Sequence, residues 1–274
     1  MKKKELTLRA IVGILYAGLI FVSNYTHSYV FAAVILIFFL LCYYELSKIL
    51  QFKKPIWTIG SLFLTGLPVF VFSKSFFLHQ PWPLDLSIQN LSAVVGFILS
   101  VVCLFKFSEE LDLDQAKAIF MALYLGVPFG LAFSLVTVID QGELISKEIF
   151  YLFVLLWTSD SFAYLFGNLW GKTPLAPSIS SAKTIEGFLG GMFFVWVAGF
   201  LIEKWGPTLK GNWIYVSLIV GFAAPLGDLC ESKLKRIFKI KDSSNLLPGH
   251  GGFLDRLDSF IFCIPFVFLY FLFA

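Results

Sequence analysis

The chain has 274 residues, of which 58% are hydrophobic and only 14% are charged. A soluble domain of this size carries more charge and fewer apolar residues, so that class is excluded. The net charge of +3 is too small to point to a nucleic-acid partner.

The 33 Phe residues fall in long apolar runs rather than in spaced stripes. A bilayer core asks for roughly 20 apolar residues per spanning helix, and runs of about that length argue against the alternating strands of a barrel. The expected fold class is an all-α integral membrane protein with about nine transmembrane helices. In chain order the spans lie near Leu8–Asn24, Tyr29–Leu46, Trp57–Phe72, Leu91–Phe105, Ala118–Val138, Ile149–Phe166, Phe188–Ile202, Trp213–Leu226 and Phe253–Phe273. Met1-Lys2-Lys3-Lys4 before the run Ile11 to Val22 resembles a signal peptide. No small-x-small cleavage site follows in Ser23–Thr26, so an uncleaved first span is expected. Residues 1–117 would form an N-terminal set of membrane helices and residues 118–274 the set that carries the chemistry. Cys42, Cys103, Cys230 and Cys263 sit in or beside apolar runs, without the spacing of a zinc site, and read as packing residues.

The basic residues set an expected orientation. With the N-terminus in the cytoplasm, that side holds Lys2–Lys4, Arg9, Lys48, Lys53, Lys54, Lys106, Lys117, Lys172, Lys183, Lys233, Lys235, Arg236, Lys239, Lys241 and Arg256. The outer side keeps Lys74, Lys147, Lys204 and Lys210. Two polar segments, Gly167–Glu186 and Gly227–Gly252, then face the cytoplasm together. The outer loop Ser75–Asn90, with Pro81, Trp82 and Pro83, carries no visible chemistry.

In Gly227–Arg236, the residues Asp228, Glu231, Ser232 and Lys235 have the spacing of one helix face. A carboxylate face at membrane depth is costly unless it binds a cation. Asp255 and Asp258 stand one turn apart at the start of the last span, after the turn-forming run Pro248-Gly249-His250-Gly251-Gly252. Asp228 with this pair makes a site for a hard divalent cation, since Mg²⁺ takes a few carboxylates plus water and phosphate oxygens. Asp160, on the sixth span with Tyr164 and Gly167 on its face, is an intramembrane carboxylate and so functional by default. Ser180–Gly187 joins hydroxyls, Lys183, Thr184 and a helix start, a combination that holds phosphate. Each has a plainer reading: Asp255 as a helix cap, Glu186 as a complement to the helix dipole, His250 as a backbone partner. Glu45 and Glu109–Glu110 read as solvated.

The stretch Ser232-Lys233-Leu234-Lys235-Arg236, Lys241-Asp242, Pro248-Gly249-His250-Gly251-Gly252, Asp255-Arg256-Leu257-Asp258 resembles the signature of the phosphatidate cytidylyltransferase (CDP-diacylglycerol synthase) family. Asp160 and Lys183-Thr184-x-Glu186-Gly187 extend the likeness over the C-terminal half. The chain departs from the family in reading Ser180-Ser181-Ala182-Lys183-Thr184 where a Ser-Pro-Lys-Lys-Thr run is usual, which leaves Lys183 to carry the charge.

The resemblance implies CTP and phosphatidate as substrates, CDP-diacylglycerol and pyrophosphate as products, Mg²⁺ as cofactor, and a homodimer. It implies Asp228 and Asp255 as metal ligands, with Asp258 as a further ligand. Lys235, Arg236 and Arg256 would hold phosphates, and Ser232 a phosphate or a metal-bound water. Asp160, Lys183, Thr184, Glu186, Lys241, His250, Gly251 and Gly252 would line the substrate site at the cytoplasmic face. The chain's compactness suggests a bacterial inner membrane. Two alternatives stand beside this reading. A CTP-dependent lipid kinase would pass the γ-phosphate to an isoprenoid alcohol. A transporter would use Asp160 as its ion site, but such chains tend to show internal repeats, and none is evident here.

Overall fold

The structure is a computed structural model that describes residues 3–26, 28–74, 87–106, 113–136, 139–140, 143–144, 147–247 and 251–274. It is an all-α membrane protein. The helices are α1 (Lys3–Thr26), α2 (Ser28–Leu50), α3 (Pro55–Phe72), α4 (Ile88–Lys106), α5 (Asp114–Met121), α6 (Val127–Val136), α7 (Lys147–Trp170), α8 (Ile185–Trp205), α9 (Trp213–Ile237) and α10 (Leu254–Phe273). A π-helical turn, Ala122–Gly126, joins α5 to α6, so that Asp114–Val136 forms one rod. Eight of the resulting rods are long and apolar enough to cross a membrane, and α1 adds the shorter apolar stretch Val12–Thr26. The nine expected spans correspond to these nine rods.

Two antiparallel hairpins interrupt the helices. A small one pairs β1 (Ile139–Asp140) with β2 (Glu143–Leu144). The other pairs β3 (Pro174–Ala176) with β4 (Ser180–Thr184), with Pro174 opposite Thr184 and Ala176 opposite Ser180. The loop Ser75–Asn90 lies outside the described residues except for its last four, of which Asn90 is a buried part of α4. Glu109–Glu110 lie outside them altogether.

The rod Asp114–Val136 and α10 form the interior, and α2, α3, α4 and α7 pack around them. Aromatic side chains fill the centre, as where Phe153 stacks on Phe260 at 4.7 Å between ring centroids. The outer faces stay apolar: Phe63 is 74% exposed and Phe193 56% exposed. In water such a surface would drive aggregation; in a bilayer it meets hydrocarbon. Cys103 belongs to this outer face, unlike the buried Cys42, Cys230 and Cys263.

Close helix contact in a membrane depends on small residues, because lipid removes the hydrophobic drive for association. The contact that positions the site is Gly227 of α9 against α10. A Cβ there would lie 2.7 Å from Phe262 Cβ and 2.8 Å from the Asp258 carbonyl. Ser259 Oγ adds a hydrogen bond to the Ala224 carbonyl at 3.0 Å. These contacts bring Asp228 of α9 beside Asp258 of α10.

Candidate functional site

The helix α9 runs past its apolar segment to Ile237. Pairs spaced three and four residues apart support the extension, and Lys235 and Arg236 complement the dipole in its last turn. The predicted polar face therefore exists: Ser232 Oγ donates to Asp228 Oδ1 at 3.3 Å, and Lys235 Nζ lies 2.5 Å from Glu231 Oε2.

Three carboxylates meet where α9 faces α10. One oxygen from each of Asp228, Glu231 and Asp258 lies within 4.8 Å of the others. Glu231 is 1% exposed and Asp258 7% exposed, while Asp228 opens to the surface. Glu231 Oε1 is buried and has no hydrogen-bond partner among the described residues. An orphaned carboxylate oxygen is expensive unless something positive completes it. Two lysines supply part of the charge. Lys183, at the end of β4, forms an ion pair with Asp228 Oδ2, and Lys235 bridges Glu231 to Asp255 Oδ1, the latter at 2.6 Å. Asp160 of α7 is accessible and lies within electrostatic reach of Asp228, Lys183 and Arg256.

The structure separates the two aspartates of α10. Asp258 joins the trio. Asp255 turns back to the loop that precedes its own helix, where Oδ2 accepts from the Gly252 N–H at 2.8 Å and the Ser243 N–H at 3.0 Å. Its other oxygen holds Lys235. Glu231, rather than Asp255, stands with Asp228 and Asp258.

The remaining predicted residues divide in a similar way. Thr184 is the N-cap of α8, its Oγ1 accepting from the Gly187 N–H at 3.2 Å. Glu186 accepts from the Lys172 N–H at 3.0 Å and the Thr173 hydroxyl at 2.9 Å, which fastens the base of the hairpin that carries Lys183. Arg236 donates to the Ile240 carbonyl at 3.0 Å, and Arg236, Lys241 and Arg256 are exposed. Gly251 has a φ of 80° and closes the turn through its carbonyl to the Leu247 N–H at 2.9 Å. Gly252 packs so tightly that a Cβ would sit on Ser243 Oγ and both Glu45 carboxylate oxygens. His250, with Pro248 and Gly249, lies outside the described residues.

Glu45 corrects its solvated reading. It is 0% exposed and accepts four hydrogen bonds from the signature loop and the start of α10. A single acid inside an apolar helix was the signal that marked it, since such groups are rarely idle in membranes.

Comparison with known proteins agrees with this architecture. The chain matches the cytidylyltransferase family over residues 7–274. The phosphatidate cytidylyltransferase of Staphylococcus aureus (strain COL) is 37% identical over 187 residues, 68% of this chain and 69% of that protein. The phosphatidate cytidylyltransferase of Bacillus subtilis (strain 168) is 46% identical over 156 residues, 56% of each chain. That of Staphylococcus haemolyticus (strain JCSC1435) is 36% identical over 186 residues, covering 67% of this chain and 69% of its own. A match that spans nearly the whole chain, with relatives of one name, leaves one assignment: the protein belongs to the cytidylyltransferase family.

Proposed function

We propose that the chain is a phosphatidate cytidylyltransferase, converting CTP and phosphatidate to CDP-diacylglycerol and pyrophosphate. The observation that carries the reading is the convergence, at one end of a membrane bundle of this family, of an acidic trio with Lys183 and Lys235. In the step proposed, a phosphate oxygen of phosphatidate attacks the α-phosphorus of CTP. The bond from that phosphorus to the bridging oxygen breaks, and pyrophosphate leaves with the electron pair. The attacking phosphate is already anionic, so no strong base is needed, and the protein's task is positioning and charge neutralisation.

Asp228, Glu231 and Asp258 suit Mg²⁺. The donor set is all oxygen, one oxygen of each carboxylate lies within 4.8 Å of the others, and Glu231 has a buried oxygen without a hydrogen-bond partner among the described residues. A magnesium ion held there would draw charge off phosphate oxygens. Lys183 would exchange its Asp228 contact for a phosphate. Lys235, Arg236, Arg256, Lys241 and Ser232 would bind phosphate, with Asp160, Gly251 and Gly252 contributing to the substrate site. His250 is assigned to the same site by its place in the signature. Thr184 and Glu186 would hold Lys183 in place through the hairpin. Asp255 would orient Lys235 rather than bind the ion directly.

The basic residues favour a cytoplasmic site in a bacterial inner membrane, where CTP and a lipid headgroup can meet. The homodimer expected from the family likeness is measured by light scattering in detergent. The function itself is tested by pyrophosphate release from purified protein. Release that requires CTP, phosphatidate and Mg²⁺ together supports the reading, and release that ignores phosphatidate refutes it.

A further inference from the structure

Glu45 lies near the end of α2, among helices that the chemistry of the C-terminal half does not otherwise use. Among the described residues, its buried carboxylate has no lysine or arginine as hydrogen-bond partner. The four bonds it accepts come instead from neutral donors: Ser243 Oγ at 2.8 Å, Ser244 Oγ at 2.6 Å, Phe253 N–H at 2.9 Å and Leu254 N–H at 2.8 Å. The two N–H groups are unsatisfied donors at the start of α10, where an anion also meets the positive end of the helix dipole. The two serines belong to the loop that enters the signature turn.

Three of these four donors lead to a charged group of the site. Ser243 touches Asp255 Oδ2 at 3.0 Å through its hydroxyl and donates its N–H to the same carboxylate. Asp255 holds Lys235, and Lys235 holds Glu231 of the acidic trio. The start of α10 carries Asp258 one turn further on. Gly252 packs against both Ser243 and Glu45 with no room for a side chain.

We infer that Glu45 is a positioning residue for cytidylyl transfer, acting through Ser243 and Asp255 to set Lys235 against the acidic trio. The inference rests on the function proposed above. Glu45→Gln keeps the shape but turns an amide N–H toward donors, which breaks the clamp. The expected result is a fall in kcat of roughly 10- to 100-fold, the range for groups that orient a site's inner residues. KM for phosphatidate should change little. The measurement is made well below the variant's unfolding midpoint, on the full chain in detergent.

Two features separate positioning from a purely structural role. Asp114 is a buried carboxylate of α5 that accepts from the Lys53 and Lys54 N–H groups at 2.9 Å each, away from the acidic trio. Asp114→Asn should lower the unfolding midpoint while leaving kcat per folded molecule near wild type. In a double-mutant cycle, the kcat losses of Glu45→Gln and Asp255→Asn should be less than additive, because they lie on one path. If Glu45→Gln does not fold, Ser243→Ala asks the same question with a gentler cut and should lower kcat several-fold. Wild-type kcat in the folded Glu45 or Ser243 variant, or additive losses in the cycle, would overturn the inference. Wild-type protein that performs no cytidylyl transfer would overturn the functional reading, and the inference with it.

Discussion

Replacing Glu231 by Gln separates the metal role proposed for the acidic trio from its structural role. The side chain is 1% exposed, one oxygen lies 2.5 Å from Lys235 and the other has no hydrogen-bond partner among the described residues. Gln keeps the volume and removes one of three negative charges. Lys235 still has Asp255 at 2.6 Å, so no buried charge is left unpaired. Folding should therefore shift by no more than about 1 kcal/mol, since removing a buried charge with an unmet lone pair offsets the weakened ion pair. Catalysis should suffer far more. Groups that merely orient a metal ligand are worth about 10- to 100-fold, so an inner ligand should cost at least ~100-fold, about 2.7 kcal/mol of barrier. The assay is initial rate of pyrophosphate release against Mg²⁺ concentration, with thermal unfolding measured on the same sample. The variant should show a normal unfolding midpoint, a depressed kcat and a Mg²⁺ half-saturation raised at least tenfold. Wild-type rate with unchanged Mg²⁺ dependence would refute the assignment of Glu231 to the ion.

Asp255→Asn should also lower kcat, because Asp255 orients Lys235, but with a different signature in folding and Mg²⁺ dependence. It breaks the link between Lys235, Ser243 and Gly252, so unfolding in detergent should show a loss of about 3 kcal/mol, with little change in Mg²⁺ half-saturation. Gly227→Ala puts a methyl 2.7 Å from Phe262 Cβ and should push α9 from α10. Overpacking of this kind costs ~1–3 kcal/mol, and a shift of about 1 Å between Asp228 and Asp258 should lower kcat roughly 100-fold. Orientation is checked by cysteine labelling in inverted and right-side-out vesicles. Lys241→Cys should react with a membrane-impermeant reagent from the cytoplasmic face and Lys210→Cys from the other, and the reverse pattern would invert the topology.

The bundle was legible because spans announce themselves by length and apolarity. The polar face of α9 was legible too, since Asp228, Glu231, Ser232 and Lys235 can share a face only on a helix. Spacing could not show which of two aspartates one turn apart would face the neighbouring helix. Asp255 sits in the first turn of α10, close to free N–H groups and to Ser243, and those donors capture it. Asp258 lies deeper and is turned to α9 by the contact at Gly227. Glu45 was missed for a different reason. Its partners are 198 to 209 residues away in sequence, so no local pattern ties them together.

The most direct test of the central claim uses two samples of CTP, one labelled at the α-phosphate and one at the γ-phosphate, with purified protein, phosphatidate and Mg²⁺. The account predicts that the α-label moves into the lipid phase as CDP-diacylglycerol while the γ-label stays in water as pyrophosphate, and that EDTA stops both. A γ-label in the lipid phase, or an α-label that never leaves water, would contradict it.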